Sequence, residues 1–74
     1  MKRYGEKATI EALKNGYYIA YFEWFTNNSG YKIIDKDRNI IGFVTFDLWA
    51  KLIQKDIITS YVKEYSHEVF GLVY

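Results

Sequence analysis

The sequence predicts an α+β fold for a single small domain spanning residues 1–74, with the element order α-β-β-β-α-β-β. Two segments repeat apolar residues at the three- and four-residue spacing of an amphipathic helix. Five further segments are rich in aromatic and β-branched residues, which favour strands. Turn-forming residues separate these segments, and the 74-residue chain contains no proline. We therefore expect an antiparallel sheet with two helices in one domain.

The first helix is predicted over residues 6–15. Ile10 and Leu13 are three residues apart there and fall on one side of a helix, whereas charged residues point elsewhere. Gly16 follows directly, and glycine is favoured where a helix ends in a left-handed residue.

The second helix is predicted to begin after Thr45, a residue whose side chain caps helix N-termini well. Asp47 falls in its first turn and is placed to pair with Lys51 four residues later. The apolar stripe of this helix consists of Phe46, Leu48, Trp49, Leu52 and Ile53. A stripe of this width is typical of a helix that packs on a core.

The five strands are predicted at residues 17–26, 31–35, 40–44, 57–65 and 69–74. The first is apolar on both alternating faces, so it is either central in the domain or covered by a partner. The segments 27–30 and 36–39 are rich in Asn, Asp and Gly, which predicts the two turns of a meander through the first three strands. Gly42 is a candidate β-bulge.

Aromatic residues are the most informative part of the composition. The chain has eight Tyr, five Phe and two Trp, whereas a domain of this size hides only about 60% of its unfolded surface. Some rings must therefore lie partly in solvent, where amphipathic rings suit a protein interface. The predicted interface residues are Tyr17, Tyr21, Phe25, Tyr61 and Tyr65. Trp24 and Trp49 are expected in the core, and a homodimer is an alternative way to cover the surplus rings.

The charge balance favours a protein partner over nucleic acid. Ten Lys and Arg against nine Asp and Glu leave a net charge of +1, without the basic excess typical of a non-specific DNA binder. For the nucleic-acid alternative, the candidate contacts are Lys51, Gln54 and Lys55 on the polar face of the second helix. We favour an ordinary solvated face at these positions. With no cysteine and no apolar run of about 20 residues, we expect a cytoplasmic protein without a membrane partner.

No residue pattern indicates catalysis, a metal site or a cofactor, so we predict a protein that is not an enzyme. His67 is the only histidine, and its neighbours Ser66 and Glu68 cannot fold onto it in the geometry of a catalytic triad. A zinc site would need further Cys or His ligands. The alternation of acidic and amide residues at positions 35–39 lacks the glycine and glutamate that a calcium loop requires, which favours a plain polar turn.

Two stretches resemble a known group of proteins. Residues 9–16 read as a short helix ending in glycine before an apolar strand, and in residues 45–59, TFDLWAKLIQKDIIT, a capping Thr opens a helix that closes on two Ile. In this order the chain resembles the small winged-helix-like proteins of phages and mobile elements, among them the YjhX-like toxin family. The chain departs from them in its longer C-terminal hairpin, its low net charge and its two helices, which do not provide a helix-turn-helix reader.

The resemblance implies a winged-helix-like fold in a phage or mobile-element protein. The frequency of Ile, Lys, Tyr and Asn, all with AT-rich codons, suggests a low-GC bacterial host. Our main hypothesis is an accessory protein that binds a host protein through a tyrosine-rich surface, for example as an inhibitor of a defence nuclease. The alternatives are a winged-helix DNA-binding regulator and a growth-inhibiting toxin.

Overall fold

Two helices and six strands make up the residues described by the computed structural model, which are 2–22, 30–62 and 68–73. The elements are β1 (Lys2–Arg3), α1 (Glu6–Lys14), β2 (Tyr18–Phe22), β3 (Gly30–Ile34), β4 (Ile40–Val44), α2 (Phe46–Gln54), β5 (Ile58–Val62) and β6 (Glu68–Leu72). The strands form one sheet in the order β1-β4-β3-β2-β6-β5. The predicted α+β class is confirmed, as is the order of the two helices and the five longer strands.

Strand β1 is an addition that the sequence did not predict. It runs parallel to β4, with Lys2 opposite Gly42 and Arg3 opposite Phe43, so the sheet is mixed and the prediction of an antiparallel sheet is wrong at this edge. All other neighbouring strands are antiparallel. Two charged residues give no strand pattern in a sequence. Their pairing with β4 is continued by the backbone of Tyr4, whose N–H donates to the Phe43 carbonyl at 2.8 Å.

Strand β2 lies inside the sheet, between β3 and β6, which explains why both its faces are apolar. Ile19 is fully buried on the side that carries the helices. Ala20 points to the opposite side, where it packs with Ile34 of β3 and Val69 of β6. Of the two predicted alternatives, a strand central in the domain or one covered by a partner, the structure shows the central position.

Both helices pack on one face of the sheet. Leu13 of α1 and Leu52 of α2 join Ile19, Ile33 and Phe70 in the main core, and all five are at most 5% exposed. This packing leaves the other sheet face without a helix among the described residues. Neither of the two described helices has the length and apolar character needed to cross a membrane.

The ends of α2 and α1 follow local rules. The Thr45 hydroxyl accepts a hydrogen bond from the N–H of Leu48 at 3.2 Å, which confirms the predicted N-cap. Helix α1 ends at Lys14, and Gly16 follows with a positive φ of 90°, the left-handed conformation expected there. Thr9 of α1 is fully buried. Burial of its polar hydroxyl is tolerated because the hydroxyl donates a hydrogen bond to the carbonyl of Gly5 at 2.7 Å.

The bulge between β3 and β4 lies one residue from the predicted position. Ile33 pairs with Gly42 and Ile34 pairs with Ile40, so Ile41 is the extra residue and not Gly42. Gly42 is required for a different reason. A Cβ at this position would collide with the ring of Tyr4 and lie 2.7 Å from the backbone oxygen of Lys2. Only glycine lets β1 and the Tyr4 ring lie this close to β4.

Candidate protein-interaction surface

Five aromatic rings meet on the helix-bearing side of the sheet, where α2 begins; we call them the aromatic cluster. Its members are Tyr21, Tyr31, Phe46, Trp49 and Phe70. The Tyr31 and Trp49 rings are stacked, with centroids 4.4 Å apart and 16° between their planes. Phe70 meets Trp49 edge-on at 5.4 Å. Stacked and edge-on pairs are the favourable arrangements of aromatic rings, so these three rings form a fixed base.

The other two rings extend from this base into solvent. The Tyr21 centroid lies 5.0 Å from that of Tyr31, and the Phe46 centroid lies 5.5 Å from that of Trp49. Tyr21 is nevertheless 48% exposed and Phe46 is 63% exposed, whereas Phe70 is only 5% exposed. The cluster thus runs from the core to the surface, and its outer rings lie against inner rings that pack on the core.

The backbone fixes the positions of these rings. Tyr21 lies directly opposite Tyr31 in the β2–β3 pairing, and Tyr31 lies opposite Val44 in the β3–β4 pairing. Because the Thr45 cap starts α2 immediately after β4, Phe46 becomes its first residue. Side chains three residues apart share a helix face, which brings Trp49 beside Phe46.

Two polar groups of the cluster are affected by burial, the indole N–H of Trp49 and the hydroxyl of Tyr31. The Trp49 indole Nε1–H is buried and has no acceptor among the described residues. Burial raises the pKa of the Tyr31 hydroxyl above its usual value, and the nearby Tyr21 and Glu68 groups raise that pKa further. The buried Trp49 Nε1–H and the burial at Tyr31 place the inner rings partly out of contact with water, as are the central residues of protein interfaces.

The three predicted interface residues that the structure describes, Tyr17, Tyr21 and Tyr61, do not all lie on one surface. Tyr21 belongs to the aromatic cluster. Tyr61 lies on the opposite sheet face, where its ring covers Gly71 closely enough to lie 2.8 Å from a Cβ added there. Tyr17 is partly buried against the main core, and it lines a cleft of about 520 Å³ together with Tyr61. The two remaining predicted interface residues, Phe25 and Tyr65, lie outside the described residues, as do Trp24 and His67.

Sequence reasoning missed Tyr31 and Phe46. Phe46 was assigned to the core-facing stripe of the second helix, yet it is the most exposed of the exposed large apolar side chains among the described residues. Its position explains this, because the first residue of α2 lies at the end of the sheet with little of the core beneath it. One signal in the sequence could have indicated this exposure. The apolar stripe of α2 begins at the residue directly after the N-cap, where the helix has only started to cross the core.

The second sheet face carries a smaller apolar group. Ala20, Ile34 and Val69 are buried there beneath the partly buried Tyr18, Phe22 and Ile40. Lys32 is only 8% exposed on this face, and its Nζ lies 5.6 Å from the centroid of the Phe43 ring. A cation over an aromatic face is a favourable contact. The rings on this face are less exposed than the outer rings of the aromatic cluster.

The candidate nucleic-acid contacts on α2 are exposed, but two of them face an acidic group. The Lys51 Nζ lies 2.8 Å from the Glu6 Oε1, and the Lys55 Nζ lies 3.8 Å from the Glu6 Oε2. The hydrogen bond and the charge of Lys51, followed by the charge of Lys55, lower the pKa of the Glu6 carboxyl below its usual value. Lys51 thus pairs with α1 and not with Asp47, its predicted partner. Gln54 is exposed beside them.

The turn between β3 and β4 has its own structural role. The Asp35 Oδ1 accepts hydrogen bonds from the backbone N–H groups of Asp37 and Asn39, each at 2.9 Å. Aspartate commonly closes turns in this way. Within the described parts of the chain, no group of three or more His, Cys, Asp or Glu residues is placed to hold a metal ion.

Comparisons with known proteins provide no assignment. No protein-family model, no curated protein and no solved structure matches the chain. The predicted likeness to winged-helix-like proteins therefore receives no support from these comparisons, and the function must be inferred from the residues themselves.

Proposed function

We propose that this chain is a non-enzymatic binding protein that docks a partner protein through its aromatic cluster, with Phe46 and Tyr21 as the contacting rings. The exposure of Phe46 carries the proposal. A phenylalanine that leaves 63% of its surface in solvent contributes little to the core, yet its ring lies against a stacked aromatic base. Burial of this ring by a partner would remove an apolar surface that the fold leaves uncovered.

The packing of the outer rings against the inner rings also favours binding of a partner. Interface side chains that are already held in place lose little conformational freedom on binding, whereas immobilising a free side chain costs about 0.5–1.5 kcal/mol. Tyr and Trp are the residue types most enriched among energetically dominant interface residues. The acidic Glu68 lies close enough to Tyr31 to raise its pKa, and the exposed Asp47 follows Phe46 in the chain. We therefore expect a partner with an apolar pocket bordered by a basic group.

The finer role in this proposal is that of a phage or mobile-element accessory protein acting on a host protein in the cytoplasm, for example as an inhibitor of a defence nuclease. Its support is the small size, the composition rich in AT-coded residues and the resemblance described above. The partner surface and this biological role are separate proposals, so the first can hold without the second.

The direct test is comparative capture from a nuclease-treated lysate of a low-GC host. The baits are tagged wild type, Phe46→Ser, Tyr21→Ser and, as a matched control, Gln54→Ser, which changes an exposed residue of the same helix outside the cluster. We expect one protein at stoichiometric level with wild type and with the control, and its loss with both cluster variants. Equal recovery by all four baits would contradict the proposal. Thermal melts of each bait show whether the fold is retained.

The DNA-binding regulator and the growth-inhibiting toxin stay as alternatives. A regulator with a winged-helix-like arrangement would use Lys51, Gln54 and Lys55, but the charge of Glu6 offsets part of the charge of the two lysines. It requires DNA affinity that falls steeply with salt and is lost in a Lys51→Glu, Lys55→Glu variant. The toxin is supported by the resemblance alone, and arrest of growth on expression would test it.

A further inference from the structure

Strand β5 forms an outer edge of the sheet and has no neighbour on one side among the described residues. Its sequence, Ile58–Val62, reads ITSYV and contains no charge and no proline. Thr59, Ser60 and Tyr61 are all exposed. An edge strand of this composition is a template for pairing with another strand, which proteins normally prevent with charges, proline or very short strands.

The opposite edge of the sheet is protected in that way. Strand β1 has only two residues, Lys2 and Arg3, and both are charged and exposed. Among residues 2–22, 30–62 and 68–73, the β5 edge is therefore the one open to strand addition. This asymmetry limits assembly to a closed pair, because strand addition at both edges would build an open-ended filament.

The backbone of β5 directs a defined set of hydrogen-bonding groups outward. Ile58 lies opposite Leu72 in the β5–β6 pairing, and the preceding Ile57 carbonyl accepts from the N–H of Val73 at 2.9 Å. In an antiparallel pair, hydrogen-bonded residues alternate along the strand. Thr59 and Tyr61 therefore bond to β6. Ile58, Ser60 and Val62 direct their N–H and C=O groups to the free edge.

The three residues with outward-facing backbone groups, Ile58, Ser60 and Val62, are spaced evenly about Ser60. We propose that β5 pairs with β5 of a second copy of this chain around a twofold axis at Ser60. In this register Ser60 lies opposite Ser60 of the other copy, and Ile58 lies opposite Val62. All outward-facing groups of the three residues then find partners, giving about six hydrogen bonds. On the open sheet face, Thr59 lies opposite Tyr61 of the other copy, a favourable cross-strand pair.

A second copy fits this edge better than an arbitrary strand. Because β5 carries no charge, two copies meet without repulsion between like charges within the paired strands. The pairing is short, and small interfaces of this kind give weak complexes. We expect a dissociation constant of about 10 μM to 1 mM. The inner ring Phe70 of the aromatic cluster lies opposite Ser60 in the β5–β6 pairing, but the outer rings Tyr21 and Phe46 belong to β2 and α2. The proposed partner protein contacts those outer rings, so this inference is independent of it.

The twofold register gives a sharp test by sedimentation equilibrium of the purified full chain from about 10 μM to about 1 mM. For wild type, we expect the mass to rise from 8.8 kDa towards twice that value. Ser60→Lys and Ser60→Glu each place like charges directly opposite one another, so each variant alone should stay at 8.8 kDa. An equimolar mixture of the two should associate again, because Lys then faces Glu.

The controls are Gln54→Lys and Gln54→Glu, which introduce the same charges at an exposed position of α2, and Phe46→Ser in the aromatic cluster. All three should associate like wild type. The proposal is overturned if wild type stays at the mass of one chain over the whole concentration range. It is also overturned if the single Ser60 variants associate as wild type does, or if their equimolar mixture shows no higher mass than either variant alone. Loss of association in Phe46→Ser would equally overturn it and assign the contact to the aromatic cluster. The Ser60 side chain is exposed, and its backbone groups make no hydrogen bonds to β6. The Ser60 variants should therefore keep their fold, and thermal melts compared with wild type verify this.

Discussion

Replacement of Gly42 by alanine tests whether β1 and Tyr4 pack as closely on β4 as described. The added Cβ would lie 2.5 Å from Tyr4 Cδ1 and 2.7 Å from the backbone oxygen of Lys2. A Cβ atom does not approach a non-bonded carbon or oxygen atom so closely in folded proteins. The ring can rotate away, but the Lys2 oxygen belongs to the strand paired with Gly42 itself. Relief of the clash therefore requires displacement of β1 together with Tyr4.

The expected loss of stability is about 2 kcal/mol, because forcing extra atoms into a packed site typically costs about 1–3 kcal/mol. For a domain of this size, that loss lowers Tm by about 8–16 °C. Urea and thermal unfolding followed by circular dichroism measure both quantities. The matched control is Gly71→Ala. Its Cβ would lie 2.8 Å from Tyr61 Cε1, which belongs to a side chain and not to the backbone. Relief of this clash does not require displacement of a strand, so the control should cost less than Gly42→Ala.

A double-mutant cycle with Tyr4→Ala separates the ring from the strand. If Gly42→Ala already displaces the ring, removal of Tyr4 should cost at least about 0.5 kcal/mol less in the Gly42→Ala background than in wild type. A Gly42→Ala protein within about 0.5 kcal/mol of wild type would refute the described packing of β1. Equal losses from Gly42→Ala and Gly71→Ala would refute the distinction between a backbone clash and a side-chain clash.

Three further changes test other parts of the structure by equilibrium unfolding. Thr45→Ala removes the cap of α2 and should cost about 1 kcal/mol, with Thr45→Ser close to wild type. Leu52→Ala empties a fully buried site and should cost about 2–5 kcal/mol; a smaller loss would show that α2 is not packed as described. Because Lys51 and Lys55 depress the Glu6 pKa below 4.5, ionised Glu6 stabilises the fold above that pH and loses its effect as the pH falls through the lowered pKa. The difference between wild type and Glu6→Gln should therefore be present at pH 7, weaken with salt and vanish in acid; a difference that persists at pH 2 would contradict the ion pair.

The features that the sequence predicted well depend on neighbouring residues. The Thr45 cap fixes the start of α2 because its hydroxyl bonds an N–H only three residues away. The strand at residues 40–44 and the turn before it were predicted correctly, since Asp35 and Asn39 close that turn by themselves. Such features need no knowledge of the rest of the molecule.

The features that escaped prediction depend on distant residues. Alternation correctly separated the two faces of β2, but no local pattern states that both helices lie on the same side. Tyr21 and Tyr61 were therefore assigned to one surface although they lie on opposite faces of the sheet. Lys51 was paired with the nearby Asp47, whereas the folded chain places Glu6 of α1 at 2.8 Å. The exposure of Phe46 likewise depends on where α2 begins relative to the sheet.

The central claim is that the outer rings of the aromatic cluster serve a partner and not the fold. The most direct measurement is the free energy of unfolding of the variant Tyr21→Ser, Phe46→Ser, compared with wild type in urea. We expect a loss below about 1 kcal/mol, because changes at exposed positions are usually nearly neutral. A loss of about 3–5 kcal/mol, the range for removal of a buried Phe, would contradict the claim and assign these rings to the core.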